Sequence, residues 1–369
     1  MNKIFNHKYN SNGKIVVVSE ITTQKRKRKA KLFTLLGVFF MLSPQIGISS
    51  VIKNDIQYQA YRDFAENKGE FYPGVENVSL YNVSGQKVFI LNKVPMADFS
   101  SVDVNLGVAT LVSPQYIVSV KHNGGYKTAR FGTSTYSIID RNNHPSGNRD
   151  FHNPRLNKLV TDVVPATVTD AGINKGTYQD TERFPVFYRV GSGTQIYKKD
   201  NENYYTLSGA YNYLTGSTVT SPSISDWSFV TNTGKSYFES YGTPGDSGSP
   251  LFGWDTKHEK WVLIGVLRGY EGTKGKTNWY VVIPEEQITK NEKEDTDPEV
   301  NNTGGHIEWT FDSAKGTGLL KQGEQQWNMH GILGKDLNKG KNLIFSGDDA
   351  GIRLKNSVDQ GAGALTFNG

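Results

Sequence analysis

Short apolar segments separated by turn residues make up most of the chain after residue 75. Val78 to Val83 and Gln86 to Leu91 flank a Ser-Gly turn, which predicts a β-hairpin. A second hairpin is predicted for Gly107 to Val112 and Tyr116 to His122, because two β-rich runs are joined by a turn that contains proline. This pattern predicts an architecture of strands and turns.

A single short helix is predicted near the start of this region. Ile56, Ala60 and Phe64 recur at four-residue intervals, and Gly69 can end the helix. Later in the chain, the apolar run from Trp261 to Leu267 predicts a buried strand.

The pattern changes after residue 290. Residues 290–305 are charged and rich in turn residues, which predicts a linker or a long surface loop over 291–305. Beyond it, Leu343 to Gly347 recurs as Leu365 to Gly369 after 22 residues, the length of one coil in a parallel β-helix. Two copies are a weak repeat, and chance similarity between two strands is the alternative.

Residues 1–50 have the pattern of an extended export signal. A basic region, Lys25 to Lys31, precedes an apolar run of eleven residues, Leu32 to Leu42, which is too short to span a bilayer. Small residues at Gly47, Ser49 and Ser50 predict cleavage near residue 50. A basic run can also bind nucleic acid, but its position beside an apolar segment favours export.

Composition and charge agree with an exported, β-rich protein. The 369 residues include 39 glycines, 19 tyrosines, 18 phenylalanines and no cysteine, which favours an all-β fold that needs no disulfide. Of the 41 basic and 36 acidic residues, nine and one lie in residues 1–50, so the remainder carries 32 basic and 35 acidic residues. The mature chain is therefore not basic, and no nucleic-acid partner is expected.

The candidate chemistry centres on Gly245-Asp246-Ser247-Gly248-Ser249-Pro250. A serine between flexible glycines suits a nucleophile whose oxyanion hole is built from neighbouring N–H groups. The same residues also suit an ordinary polar turn. A catalytic serine needs a base and an orienting acid elsewhere in the chain.

His122 is the best candidate for the base, because it directly ends a strand-like segment and precedes a Gly-Gly pair. If the acid lies between the histidine and the serine, the nearest candidates are Asp140, Asp150 and Asp162. Spacing alone does not decide among these three aspartates. Asp150 follows a loop rich in Pro, Gly and Asn, where catalytic groups commonly lie.

These segments together resemble the serine protease autotransporters of enteric bacteria, which are relatives of the immunoglobulin A proteases. The segments that carry the resemblance are Ala109 to Val112, Tyr116 to Tyr126, Asp150 to His152, Arg155-Leu156, Gly245 to Pro250, Tyr61 to Gly69, Pro95 to Ser101 and Pro185 to Gln195. The resemblance implies a catalytic triad of His122, Asp150 and Ser247, with an oxyanion hole formed by the N–H groups of Gly245 and Ser247.

The resemblance also implies the domain organisation. Residues 51–290 would form a chymotrypsin-like double β-barrel, and residues 306–369 the first coils of a right-handed parallel β-helical stem. Tyr241, six residues before the serine, would lie at the base of the specificity pocket. A tyrosine there does not support a preference for Lys or Arg, so a neutral, hydrophobic residue is expected before the cut bond.

The resulting hypothesis is a secreted, monomeric serine endopeptidase that cleaves host extracellular proteins, without a cofactor or a metal. His144, His152, His258, His306 and His330 show no spacing typical of metal ligands. The protein would contact a membrane only during export, and would pass through the periplasm to the cell surface or beyond if a C-terminal translocator is present. No segment of this sequence resembles such a translocator. The alternatives are a catalytically silent adhesin or binding module with the protease fold, and a purely structural β-helical protein.

Overall fold

A computed structural model describes residues 6–9, 15–18, 48–91, 94–173, 176–192, 194–199, 203–206, 214–225, 228–232, 236–270, 277–330 and 339–368. The chain divides into two compact units, residues 1–45 and 46–369. In the first unit, β1 (Asn6–Tyr9) and β2 (Ile15–Val18) form an antiparallel hairpin. The basic and apolar segments predicted as parts of an export signal lie outside the described residues.

The second unit begins with β3 (Ile48–Ile52), α1 (Tyr58–Ala65), a 3-10 helix (Gly69–Phe71) and the hairpin of β4 (Ser79–Tyr81) and β5 (Lys87–Ile90). The helix and the hairpin confirm the sequence predictions. Tyr61, Phe64 and Ala65 form the buried face of α1, and Asn67 and Gly69 adopt positive φ angles of 53° and 58° just after the helix.

The next five strands form one antiparallel sheet. They are β6 (Thr110–Ser113), β7 (Tyr116–Val118), β8 (Thr128–Phe131), β9 (Ser134–Asp140) and β10 (Arg155–Leu156), in the order β6-β7-β10-β9-β8. The predicted second hairpin is thus β6 and β7, and a 3-10 helix, Lys121–Asn123, follows it. The apolar side chains of this sheet form a separate small core that includes Leu111, Ile117 and Phe131.

A closed barrel follows, and a small sheet lies beside it. The barrel is formed by β11 (Phe187–Gly191), β14 (Thr215–Ser225), β15 (Ser228–Asn232), β17 (Pro250–Asp255), β18 (Lys260–Tyr270) and β19 (Thr277–Val282). The small sheet is formed by β12 (Thr194–Lys199), β13 (Asn203–Thr206), β16 (Ser240–Gly242) and β3. The 3-10 helix Thr177–Gln179 precedes the barrel. The predicted buried strand at Trp261 to Leu267 is the centre of β18.

Helix α2 (Glu285–Glu294) connects the barrel to the last strands. Those strands are β20 (Val300–Asn302), β21 (Gly305–Asp312), β22 (Thr317–Gln322), β23 (Gln325–His330), β24 (Leu343–Gly347), β25 (Ala350–Leu354) and β26 (Leu365–Phe367). The segment 291–305, predicted as a linker, instead contains the end of α2 and strand β20. The sequence pattern missed this because the helix exposes its charged side chains and buries only Gln287, Ile288 and Asn291.

These last strands combine parallel and antiparallel pairing. β20 and β26 flank β24 in parallel, β25 pairs in parallel with β21, and β21, β22 and β23 form an antiparallel meander. Leu343 lies opposite Leu365 and Phe345 opposite Phe367. The 22-residue repeat therefore corresponds to two neighbouring parallel strands, β24 and β26, which we call the rungs. No helix in the described parts of the chain is long and apolar enough to cross a membrane.

Candidate active site

The loop that carries Ser247 lies between β16 and β17, beside the segment that follows β7. Gly245 and Gly248 have φ angles of 111° and 95°, which side chains other than glycine rarely adopt. A Cβ atom on Gly248 would lie 2.0 Å from Ser119 Oγ and 2.3 Å from the Val108 carbonyl oxygen. Glycine at 248 therefore allows the serine loop to pack closely against the residues just before β6 and just after β7.

His122 lies in the 3-10 helix that follows β7, and Asp150 lies in the loop before β10. An isolated antiparallel bridge between Ser119 and His152 joins these two segments. The His122 Nε2 and Ser247 Oγ atoms are 2.7 Å apart, and His122 Nδ1 is 2.5 Å from Asp150 Oδ2. The structure thus brings together the three side chains that the resemblance selected.

A second hydrogen bond fixes the carboxylate of Asp150. Its Oδ1 accepts a bond of 3.0 Å from the backbone N–H of His122, so both carboxylate oxygens bind the same residue. Partial burial raises the pKa of Asp150, but the hydrogen bonds from the His122 ring and backbone outweigh this and lower the pKa below its usual value. An ionised Asp150 favours the tautomer with hydrogen on Nδ1, which leaves Nε2 free to accept the serine proton.

The side chains remain accessible to a substrate. His122 exposes 47% of its side chain and Asp150 exposes 26%.

In the serine loop, the backbone N–H groups of Asp246, Gly248 and Ser249 donate to the carbonyl oxygens of Thr243, Leu267 and Asp246, respectively. In the described part of the chain, the N–H groups of Gly245 and Ser247 have no protein acceptor. Their predicted role as oxyanion donors stays a prediction.

Asp140 and Asp162, the other candidate acids, lie apart from the serine. Asp140 ends β9, where it accepts a bond from the Asn142 N–H. Asp162 accepts bonds from the Tyr136 hydroxyl, at 3.1 Å, and from the Thr133 N–H. Both interactions suit aspartates that stabilise turns and strand ends.

Tyr241, the predicted base of the specificity pocket, is half-buried in β16 and pairs with Val51 of β3. The neighbouring Gly242 exchanges two backbone hydrogen bonds of 2.9 Å with the side-chain amide of Asn278, which is buried. The side-chain amide of Asn278 therefore binds the backbone of Gly242. The substrate preference assigned to Tyr241 stays a prediction.

Two residues near the nucleophile were missed at the sequence level. Asn123, next to the histidine, donates its Nδ2 hydrogen to the Ser247 carbonyl oxygen at 2.8 Å. Arg189 forms an ion pair of 2.7 Å with Asp246, whose expected role was support of the loop. A charged residue inside the apolar run of β11 was the available signal for this buried pair.

One group of side chains has the composition of a cation site. Ligand atoms of Asp170, Asp255 and His258 lie within 4.8 Å of one another. The guanidinium of Arg183 already binds both carboxylates, at 2.9 Å for Asp170 and 2.8 Å for Asp255. Both carboxylates are therefore already paired with an arginine, which disfavours binding of a metal ion by this cluster.

Comparison with known proteins identifies the family of the chain. Residues 49–286 match the immunoglobulin A1 protease family, also described as the S6 peptidases. The chain is similar over its whole length to the serine protease SepA autotransporter of Shigella flexneri, at 40% identity, and to the serine protease EatA of Escherichia coli, at 37%. It spans 28% of the length of each of these two relatives.

A solved structure supports the same assignment. The Haemophilus influenzae Hap adhesin superposes with a TM-score of 0.76 and 30% identity, over 86% of this chain and 39% of that one. This similarity, together with the 26 strands against two α-helices in the described residues, confirms the all-β fold expected from the sequence. The chain therefore belongs to the immunoglobulin A1 protease family.

Proposed function

We propose that this chain is the catalytic part of a secreted serine endopeptidase. The observation that carries the proposal is the continuous hydrogen-bonded series from Asp150 through His122 to Ser247, with distances of 2.5 and 2.7 Å. Nucleophile, base and orienting acid within hydrogen-bond distance are what acyl transfer requires. The names of the SepA and EatA relatives point to the same activity.

The proposed reaction proceeds through an acyl-enzyme. Ser247 Oγ attacks the scissile carbonyl carbon, while His122 Nε2 accepts the hydroxyl proton. The carbonyl oxygen becomes an oxyanion that the N–H groups of Gly245 and Ser247 stabilise. His122 then donates its proton to the leaving amine nitrogen, and Asp150 stabilises the imidazolium through Nδ1–H. A water molecule, deprotonated by His122, then attacks the ester carbonyl carbon. The bond from that carbon to Ser247 Oγ breaks, His122 returns the proton to Oγ, and the product leaves as a carboxylic acid.

A fluorophosphonate probe tests the nucleophile directly. We expect the purified protein to be labelled, and the Ser247→Ala variant to be unlabelled and inactive. Ser249→Ala is the matched control, because Ser249 lies in the same motif but is fully buried. It should retain labelling. Undiminished labelling of Ser247→Ala would contradict the assignment of Ser247 as the nucleophile. No labelling of the folded wild-type protein would contradict the protease proposal and favour a catalytically silent adhesin with the protease fold.

We further propose host extracellular proteins as substrates and a hydrophobic residue before the cut bond. Tyr241 supports the second point, since it supplies a ring and no carboxylate at the predicted pocket. Cleavage of a peptide library, followed by mass spectrometry of the products, measures the preference. Enrichment of Lys or Arg before the cut bond would reject this assignment of Tyr241.

Export is proposed from the pattern of residues 1–50. The matched family region begins at residue 49, close to the predicted cleavage site near residue 50. Amino-terminal sequencing of the exported protein should give a first residue near 50. An exported protein that retains the basic segment before residue 32 would contradict a cleaved signal.

A further inference from the structure

The carboxylate of Asp246, directly before the nucleophile, points into the barrel and is fully buried. Three donors reach it there. Arg189 Nη2 lies 2.7 Å from Oδ2, the Ser50 hydroxyl donates to Oδ2 at 2.8 Å, and the backbone N–H of Ser192 donates to Oδ1 at 2.8 Å. The residue between the two predicted oxyanion donors is thus anchored by its side chain.

Arg189 is itself held by the barrel. Its side chain is buried on β11, and its Nη1 donates to Ser240 Oγ at 2.8 Å. The Ser240 hydroxyl lies 2.8 Å from the Ser217 hydroxyl of β14. The guanidinium is therefore fixed in space by three strands before it contacts the serine loop. Burial raises the pKa of Asp246, and the guanidinium and the other donors oppose this effect.

Two glycines leave room for the ion pair. A Cβ atom on Gly191 would lie 2.5 Å from Arg189 Nη2 and 2.6 Å from Asp246 Oδ1. A Cβ atom on Gly242 would lie 3.1 Å from Arg189 Nη2 and from Asp246 Oδ2. Because the surrounding backbone is in contact with both charged groups, the pair has little freedom to change its geometry.

We propose that Arg189 is a positioning residue for the oxyanion hole. Its ion pair with Asp246 fixes the peptide groups on either side of that residue, and so directs the N–H groups of Gly245 and Ser247 toward the substrate oxygen. Ser50, on the first strand of the second unit, donates a further hydrogen bond to the same carboxylate. This inference rests on the proposed protease activity.

The test separates positioning from stability. Arg189→Met leaves the buried Asp246 charge unpaired, and Asp246→Asn leaves Arg189 unpaired, so both variants should be less stable. The double variant Arg189→Met/Asp246→Asn leaves neither charge unpaired and should fold. For each folded variant we expect kcat to fall about 10²–10³-fold, the range for loss of an oxyanion donor, with KM within about threefold of wild type.

Arg183→Met is the matched control, since Arg183 pairs with buried Asp255 in the same barrel, away from the serine loop. It should lose stability and keep wild-type kcat. The affinity for a peptide boronic acid, which forms a tetrahedral adduct on Ser247, should fall in parallel with kcat in the Arg189 and Asp246 variants but not in Arg183→Met.

Wild-type kcat and boronate affinity in the folded double variant would overturn the positioning role of Arg189. The proposed protease activity is judged separately, by labelling of the wild-type protein. A labelled, active wild type with an equally active double variant would reject only the positioning role. An unlabelled wild type would reject the protease assignment itself.

Discussion

At the scale of single residues, the arrangement around His122 predicts which aspartate matters. Asp150→Asn removes the acceptor that selects the Nδ1–H tautomer, and kcat should fall by about 10⁴ while the protein remains folded. Asp140→Asn and Asp162→Asn are matched controls. Asp140 binds the Asn142 N–H and lies 4.0 Å from Lys339 Nζ, and Asp162 binds the Tyr136 hydroxyl and the Thr133 N–H. Steady-state kinetics of the three variants measure the difference. Equal loss of activity in all three would contradict the assignment.

The buried His152 predicts a pH dependence of stability. Burial, reinforced by the nearby positive charge of Arg141, lowers the pKa of His152 from 6.5 to about 3. Between these two values the unfolded chain binds a proton that the folded protein does not bind. Stability should therefore decrease as the pH falls through this window, by up to about 1.4 kcal/mol per pH unit from this group.

Urea denaturation of wild type and His152→Gln between pH 7 and 4 measures this effect. The variant should show a shallower decrease. Tyr126→Phe is the control, because it removes the hydroxyl that lies 2.8 Å from His152 Nε2 but leaves the ring buried. It should keep the wild-type slope. An unchanged slope in His152→Gln would reject burial of a neutral histidine.

The sequence predicted single residues unevenly. Ser247 could be selected because it lies in a Gly-Asp-Ser-Gly motif, and His122 because it directly ends a strand-like segment. The choice of Asp150 needed a family resemblance, since the loop that brings it to His122 depends on long-range pairing such as the Ser119–His152 bridge. The partner of Asp246 was also unpredictable, because 57 residues separate it from Arg189.

At the scale of elements, α1 is expected to hold the core together. The Phe64 ring, on its buried face, packs within 4.9–5.6 Å, centroid to centroid, of the rings of Phe71, Phe99, Tyr188 and Phe238. Phe64→Ala should lower the free energy of unfolding by about 3–5 kcal/mol, through lost burial and a cavity. Chemical denaturation measures it.

Tyr58→Ala is the control on the same helix, because Tyr58 is 44% exposed. Its effect should stay within about 0.5 kcal/mol. Equal effects of the two substitutions would contradict the assignment of the buried face. The four-residue spacing of apolar positions predicted this helix correctly, whereas α2 was missed because its mostly polar and charged surface resembles a loop.

At the scale of the whole second unit, buried contacts join the sheet of strands β6–β10 to the segments before and after β24. Arg155 of β10 is 1% exposed, and its Nη2 donates to the Gly340 carbonyl at 2.7 Å and to Asn342 Oδ1 at 3.1 Å. Gln115 donates to the Ala362 carbonyl at 2.7 Å. The 22-residue repeat predicted that rungs exist, but a local pattern could not predict where they dock.

These contacts predict that the sheet and the rungs unfold together. Arg155→Met leaves the Gly340 carbonyl oxygen without its buried donor and removes one of two donors to Asn342 Oδ1, the other being the Ala364 N–H. The substitution should cost about 3 kcal/mol. Hydrogen exchange in the variant should increase in both β7 and β24. The lost contacts hold the β6–β10 sheet against the β24 segment, so each should open more often without them. Arg353→Met, which removes an exposed arginine 3.9 Å from Glu308, should leave exchange in both strands unchanged. Faster exchange in β24 alone would show that β24 and β26 unfold independently of the β6–β10 sheet. Loss of structure in these two strands would then leave the serine site folded.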